Sequence, residues 1–120
     1  MEKSFKLDII LGPMFSGKTT KLIEIMNSLD KKNVKYLAVK PQIDDRYTQK
    51  NKNNFIVSHN LVKKECKIPT NLKEVLEEIK NSSEQIDFVI IDEAQFFENL
   101  YNFCIVCLEE LNINVIVTGL

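Results

Sequence analysis

The sequence predicts an α/β fold in three layers, in which a mostly parallel sheet lies between helices. Short apolar runs that suit buried strands alternate along the chain with segments of helical period. The resulting order is strand, helix, strand, loop, strand-like piece, helix, strand, helix, strand, which suits right-handed crossovers. The chain has 120 residues and 44% hydrophobic content, enough for one core, so we expect a single domain over residues 1–120.

The first part of the chain is predicted to form a strand, a helix and a second strand. Phe5 to Leu11 is an apolar run typical of a strand covered on both faces. A helix is expected from near Gly17, and it should end near Asp30 to Asn33. Val34 to Val39 then supplies a strand, which Pro41 ends. The inward stripe expected of the helix is Leu22, Ile25, Met26 and Leu29.

The middle of the chain is harder to assign. Residues 42–54 are polar and without a regular period, which indicates a surface loop. Phe55–Val57 and Leu61–Val62 either pair as a small hairpin or cover the sheet edge. Thr70 and Asn71 form a helix cap, so a second helix follows. Its expected inward stripe is Leu72, Val75, Leu76 and Ile79.

The last third predicts strand, helix and strand. Ile86 to Ile91 reads as a buried strand, and Val115 to Thr118 as the last one. Between them a helix is expected from about Glu98. Its expected inward stripe is Leu100, Cys104, Cys107, Leu108 and Leu111.

One stretch between the first strand and the first helix predicts a phosphate site. It fills the pattern G-x-x-x-x-G-K-[ST], in which backbone N–H groups and the helix dipole attract an anion. Lys18 is expected to reach the β- and γ-phosphates of a nucleotide, and the Thr19 hydroxyl to bind Mg²⁺. The predicted architecture is therefore a P-loop NTPase fold of the RecA-like type. The candidate nucleotide-binding residues are Gly12, Pro13, Met14, Phe15, Ser16, Gly17, Lys18 and Thr19.

An acidic pair follows the strand that ends at Ile91. A carboxylate at this position of a P-loop protein holds Mg²⁺, usually through water, so Asp92 is the second candidate metal ligand. Glu93 beside it can act as the general base for an attacking hydroxyl. The alternative is a solvated carboxylate pair at a strand end.

Arg46 is the sole arginine of the chain and lies beside Asp44 and Asp45. A guanidinium clamps phosphate oxygens with two parallel hydrogen bonds, which suits phosphoryl transfer. An ordinary surface arginine is the simpler interpretation without further context.

The cysteines and the charge exclude other classes of protein. Cys104 and Cys107 form C-x-x-C, but the spacing of Cys66 and His59 does not complete a zinc site with them. Cys104 and Cys107 also lie on the expected apolar stripe of the third helix. Three cysteines indicate no disulfide framework, so a reducing, cytosolic location is expected. The net charge of −1 gives no basic face for nucleic acid. No run long enough to cross a membrane is present in the sequence.

Ordered blocks along nearly the whole chain resemble cellular-type (type II) thymidine kinase. The blocks are Leu11 to Thr19, Lys40 to Tyr47, Ser58-His59-Asn60, Ile91 to Phe97, and Val117 to Leu120. Generic P-loop proteins have no reason to carry Met14-Phe15 in the phosphate loop or Gln95-Phe96-Phe97 after the acidic pair.

The resemblance implies transfer of the γ-phosphate of ATP to the 5′-hydroxyl of thymidine or deoxyuridine, with Mg²⁺ as cofactor. It implies that Glu93 is the base and that Lys18 and Arg46 act in catalysis. Asp44 and Gln95 become candidates for phosphate handling or for support of the catalytic groups. It also implies a homotetramer.

The same resemblance implies that part of the family pattern is missing. Members of the family continue beyond the strand that ends at Gly119-Leu120 into a four-cysteine zinc site and a loop over the thymine ring, so no base-binding pocket is assigned here. Two other functions remain open. One is a catalytically silent ATP-binding fragment of such a kinase. The other is an NTP-driven motor, because Asp92-Glu93-Ala94-Gln95 resembles the acidic box of helicases.

Overall fold

The computed structural model of the chain describes residues 7–10, 17–42, 54–58 and 62–119. The described strands and helices follow the predicted order along the chain. The strands are β1 (Leu7–Ile10), β2 (Tyr36–Val39), β3 (Phe55–Val57), β4 (Lys63–Glu65), β5 (Phe88–Ile91) and β6 (Asn114–Thr118). The helices are α1 (Lys18–Lys31), α2 (Leu72–Asn81) and α3 (Leu100–Ile105).

Four of the described strands form a parallel sheet in the order β1-β6-β5-β2. In register, Ile9 pairs with Val117, and Ile91 pairs with both Val117 and Val39. The strands run the same way, so their carboxyl ends meet at one edge of the sheet. That edge is where ligands bind in open α/β sheets.

The sheet lies between two apolar layers, which confirms the three-layer prediction. Alternate side chains of β2, β5 and β6 point to opposite faces. On one face Leu37, Val89 and Val115 pack against α2 and α3. On the other face Ala38, Ile90 and Ile116 pack against α1.

Helix α1 starts as predicted but buries a wider stripe. Leu22, Met26 and Leu29 are buried, and Ile25 is only partly buried. Ile23, which the predicted stripe omits, is 3% exposed. The helix is therefore covered over a broader arc than the i, i+3, i+4 spacing indicated.

The middle segment forms an antiparallel hairpin, one of the two predicted alternatives. Its second strand is Lys63–Glu65, which begins after the predicted piece, and Phe55 pairs with Glu65. Leu61 lies outside the described residues. Ile56 is fully buried against α1. An ion pair between Lys64 and Asp30, which lies in the last turn of α1, also holds the hairpin there and lowers the pKa of that carboxyl.

The first strand differs from its prediction. It lies at the sheet edge, where Leu7 and Ile9 are 41% and 46% exposed, so it is not covered on both faces. The pairing of Ile9 with Val117 places both side chains on the face that α2 and α3 cover. Those helices pack over β5 and β6, which leaves the edge strand outside the described apolar layer.

The third helix is shorter and less regular than predicted. It gives way to a π-helical turn over Val106–Glu110, in which the N–H of Leu111 donates to the carbonyl of Val106 at 3.0 Å. Cys104 and Cys107 are buried as expected, but Leu100, Leu108 and Leu111 are only partly buried. Phe103, absent from the predicted stripe, is 2% exposed and is the largest fully buried side chain in this layer.

Helix α2 has the predicted cap. The side chain of Asn71 accepts a hydrogen bond from the N–H of Glu74 at 2.9 Å, and the Glu74 carboxylate accepts one from the N–H of Thr70 at 3.0 Å. This reciprocal pair satisfies donors that a helix start leaves free. None of the described helices is both long and apolar enough to cross a membrane.

Removal of the Asn71 cap is expected to destabilise the protein. Asn71→Ala leaves the Glu74 N–H without its side-chain acceptor and should reduce the free energy of unfolding by about 1 kcal/mol, within 0.5–2 kcal/mol. Urea denaturation monitored by circular dichroism measures the change. Asn71→Ser, which keeps a capping oxygen, is the control and should stay close to the unaltered chain. Equal losses for both variants would contradict the capping role.

Candidate active site

The candidate site lies at the carboxyl edge of the parallel sheet. Asp92 follows β5 directly, and Thr118 is the last residue of neighbouring β6. Helix α1 follows β1 along the chain, and β1 is separated from β5 by β6 alone, a span of about 10 Å between strands. The sheet order therefore brings the start of α1 and the acidic pair to the same edge.

Asp92 is held in a fixed orientation. It is 7% exposed, and its N–H donates to the carbonyl of Val39 at 3.0 Å. Its Oδ1 atom accepts hydrogen bonds from the Thr118 hydroxyl at 2.6 Å and from the N–H of Glu93 at 3.1 Å. A buried carboxylate anchored in this way cannot rotate freely.

Its second oxygen, Oδ2, accepts no hydrogen bond from the described residues. Within the described part of the chain that oxygen is therefore uncommitted. Carboxylate oxygens are the ligands that Mg²⁺ prefers in proteins. The structure therefore fits Asp92 as a ligand of a hydrated cation. No cluster of three or more His, Cys, Asp and Glu side chains that could hold a metal occurs in the described part of the chain.

Glu93 lies in a strained turn beside Asp92. Its backbone has φ 52° and ψ 46°, the left-handed region that non-glycine residues seldom adopt. One carboxylate oxygen accepts a hydrogen bond from the Gln95 amide at 2.9 Å. Glu93 is partly exposed, and the described residues make no hydrogen bond to its other carboxylate oxygen. This arrangement suits proton acceptance.

Lys18 and Thr19 form the first turn of α1, where the helix dipole is positive. Gly17 precedes them with φ 87°, a conformation that glycine adopts without strain. Lys18 and Thr19 are partly exposed, so both side chains remain available to a ligand.

Several predicted site residues lie outside the described residues. These are Gly12, Pro13, Met14, Phe15, Ser16, Asp44 and Arg46. The structure therefore brings together Asp92, Glu93 and Gln95, and it places Lys18 and Thr19 at the same edge of the sheet.

The cysteines behave as packing residues. Cys66, Cys104 and Cys107 are all buried and form no disulfide. Burial raises the pKa of the Cys66 thiol to about 11 and that of Cys107 to about 12, and it also raises the pKa of Cys104. Cys104 and Cys107 lie in the apolar layer that covers one face of the sheet. The structure thus favours the packing interpretation of the C-x-x-C pattern.

Comparison with known proteins decides the family. Residues 5–120 match the family profile described as thymidine kinase. The chain belongs to the thymidine kinase family. It is 41% identical over 114 residues to the thymidine kinase of Onion yellows phytoplasma, covering 95% of this chain and 52% of that protein. It is 36% identical over 98 residues to thymidine kinase 1 of Dictyostelium discoideum, covering 82% and 41% respectively.

A viral relative gives the same result. The thymidine kinase of Amsacta moorei entomopoxvirus is 40% identical over 103 residues, covering 82% of this chain and 53% of that protein. The chain thus spans about half the length of the curated thymidine kinases it matches. Both the resemblance and the predicted fold class are confirmed by the family match.

Two residues that contribute to the site, Thr118 and Gly119, were not predicted from the sequence as site residues. Thr118 was predicted only as the end of a strand, although its hydroxyl contacts Asp92. Gly119, with φ 92°, allows the Glu93–Gln95 turn to approach β6 closely. A Cβ atom built on Gly119 would lie 2.1 Å from Oε1 of Gln95 and 3.0 Å from Cα of Glu93. The sequence signal for both was the block Val117 to Leu120.

Gly119→Ala is expected to destabilise the protein and to displace Gln95 from Glu93. The substitution combines strain at positive φ, on the order of 1–3 kcal/mol, with a direct clash. Gly17→Ala is a matched control, because Gly17 has a similar φ but no atom of the described residues within 4 Å of a Cβ there. Thermal and urea denaturation should show a larger loss for Gly119→Ala.

A second variant isolates the clash. Combining Gly119→Ala with Gln95→Ala removes the Oε1 contact and should recover part of the lost stability. If Gly119→Ala costs no more than Gly17→Ala, or if Gln95→Ala recovers nothing, the close approach does not explain why glycine is needed.

Proposed function

We propose that this chain forms the nucleotide-binding and catalytic part of an ATP-dependent thymidine kinase. The observation that supports it most is the placement of Lys18-Thr19 and Asp92-Glu93 at one sheet edge, in a member of the thymidine kinase family. The proposed reaction moves the γ-phosphate of ATP to the 5′-hydroxyl of thymidine or deoxyuridine. The family match favours a kinase over an NTP-driven motor.

In this proposal the residues at the start of α1 bind the polyphosphate. Backbone N–H groups of the phosphate loop and the positive end of the helix attract the phosphate oxygens. The Lys18 ammonium neutralises charge on the β- and γ-phosphates. Arg46 and Asp44 are proposed to handle the transferred phosphate, as the family resemblance implies.

Thr19 and Asp92 are the residues that would hold Mg²⁺. The cation neutralises phosphate charge when it is bound. Asp92 contributes a preoriented oxygen, because Oδ1 is already committed to hydrogen bonds and Oδ2 accepts none from the described residues. Such preorientation reduces the reorganisation needed on binding.

Glu93 is proposed to accept the proton of the attacking 5′-hydroxyl. The hydrogen bond from Gln95 fixes one oxygen of the carboxylate, which leaves the other for the substrate. The strained backbone conformation of Glu93 fixes the direction of its Cα–Cβ bond. Phosphoryl transfer depends mainly on holding the acceptor in line with the γ-phosphate, so a fixed base helps to align it.

Further expectations belong to the same proposal. The resemblance implies a homotetramer. A cytosolic location is expected because three unpaired cysteines suit a reducing compartment. Small molecules rather than nucleic acid are the proposed partners. A silent ATP-binding fragment remains the second candidate, because the chain spans only about half of its relatives.

Lys18→Ala should weaken the binding of Mg·ATP. The variant removes one charge-assisted hydrogen bond, about 1.5–3 kcal/mol, or roughly 10- to 150-fold in affinity. Isothermal calorimetry measures it. Lys21→Ala is the matched control, since Lys21 is an exposed lysine on the same helix. Equal affinities for Lys18→Ala and the unaltered chain would remove the phosphate loop from the proposal.

Glu93→Gln should separate chemistry from binding. The amide keeps the shape of the side chain but cannot accept the proton, so the phosphorylation rate should fall about 10²–10⁴-fold while ATP affinity changes little. Asp92→Asn is the contrast and should instead raise the Mg²⁺ requirement. The assay measures transfer of radiolabelled phosphate to thymidine.

The assay uses the 120-residue chain and a chimera in which it is joined to the remaining half of the Onion yellows phytoplasma relative. If the chimera phosphorylates thymidine and the 120-residue chain does not, the result would support the alternative that the short chain is a catalytically silent ATP-binding fragment. A Glu93→Gln chimera with near-normal turnover would show that another group accepts the proton.

A further inference from the structure

Thr118 lies between the two acidic residues of the proposed site. Its side chain is almost completely buried, with 1% exposure, at the carboxyl end of β6. The hydroxyl is 2.6 Å from Oδ1 of Asp92 and 3.3 Å from the N–H of Glu93. One hydroxyl therefore contacts both residues, although it is 26 positions from Asp92 in the sequence.

The direction of these hydrogen bonds follows from the atoms involved. The N–H of Glu93 only donates, so the Thr118 oxygen accepts from it. The carboxylate of Asp92 only accepts, so the single proton of the hydroxyl points to Oδ1. Together with the N–H of Glu93, this gives Oδ1 two donors. The oxygen that remains for any other ligand is Oδ2.

We propose that Thr118 is a positioning residue for magnesium-dependent nucleotide binding. It acts through Asp92: by engaging Oδ1, its hydroxyl orients the carboxylate so that Oδ2 is presented to the cation of Mg·ATP. It also ties the Glu93 backbone to the same carboxylate, which sets the position of the base relative to the metal ligand. This inference rests on the proposed function, because it concerns the same site.

The contact is not needed to hold β5 and β6 together. The two strands are already paired in register from Phe88 to Ile91, and the Asp92 N–H is bonded to Val39 on the other side. Valine has nearly the shape of threonine and suits a strand. Thr118→Val should therefore change the orientation of Asp92 and leave the fold intact.

The test compares Thr118→Val with Thr118→Ser. Calorimetry gives the affinity for ATP with saturating Mg²⁺ and with EDTA, and the ratio of the two measures how strongly magnesium supports binding. Thr118→Val should lower this ratio about tenfold, the effect of one hydrogen bond to a charged group, without changing the EDTA affinity. Thr118→Ser keeps the hydroxyl and should retain the ratio of the unaltered chain.

Other outcomes overturn the inference. If Thr118→Val leaves the ratio unchanged, the hydroxyl does not orient Asp92 and the inference fails. The proposed function still stands in that case, provided that the unaltered chain binds ATP in a magnesium-dependent way. Equal loss of affinity with and without Mg²⁺ shows a structural role only. If the unaltered chain itself shows no magnesium dependence, the proposed metal site and this inference both fail.

Two further variants keep the test decisive. Should Thr118→Val not fold, Thr118→Ala replaces it in the comparison with Thr118→Ser. In an Asp92→Asn background, Thr118→Ala should have no further effect on the ratio, because the carboxylate through which it acts is gone. An additional loss in that background would contradict a route through Asp92.

Discussion

The candidate site depends on the register between β5 and β6. Ile91 pairs with Val117, so the next residues, Asp92 and Thr118, meet where the two strands end. Side chains alternate between faces along a strand, and a slip of one residue would turn Thr118 away from the carboxylate. The main-chain hydrogen bonds of the sheet therefore determine which hydroxyl Asp92 contacts.

Apolar patterning alone fixes this register only weakly. Phe88 to Ile91 and Val115 to Val117 are apolar on both faces, so a shifted pairing would still bury apolar side chains. Polar contacts are found at both ends of the paired strands. At the start of the strands, the N–H of Asn114 donates to the carbonyl of Asp87 at 2.9 Å, and at the end the Thr118 hydroxyl donates to Asp92. The second of these contacts belongs to the site, whereas the main-chain pairing from Phe88 to Ile91 holds the two strands in register.

Local sequence signals predicted most elements, because helix caps and apolar periodicity act over a few residues. The Asn71 cap and the strand ending at Ile91 are examples. Features that depend on distant packing were missed. The exposure of β1 follows from its place at the sheet edge, and the burial of Phe103 from the position of α3 over the sheet. The Thr118–Asp92 hydrogen bond joins residues from two separate strands, so spacing in the sequence does not reveal it.

Two carboxylates stand side by side at the end of β5, and in this turn Glu93 adopts a left-handed backbone conformation that is energetically unfavourable. For an ordinary residue this conformation costs about 1–2 kcal/mol. Hydrogen bonds from its N–H to Asp92 and Thr118 offset that cost and hold the turn. Continuing the extended strand would instead direct successive side chains to opposite faces of the sheet. The turn interrupts this alternation, so the proposed base Glu93 need not lie on the face opposite the proposed metal ligand Asp92.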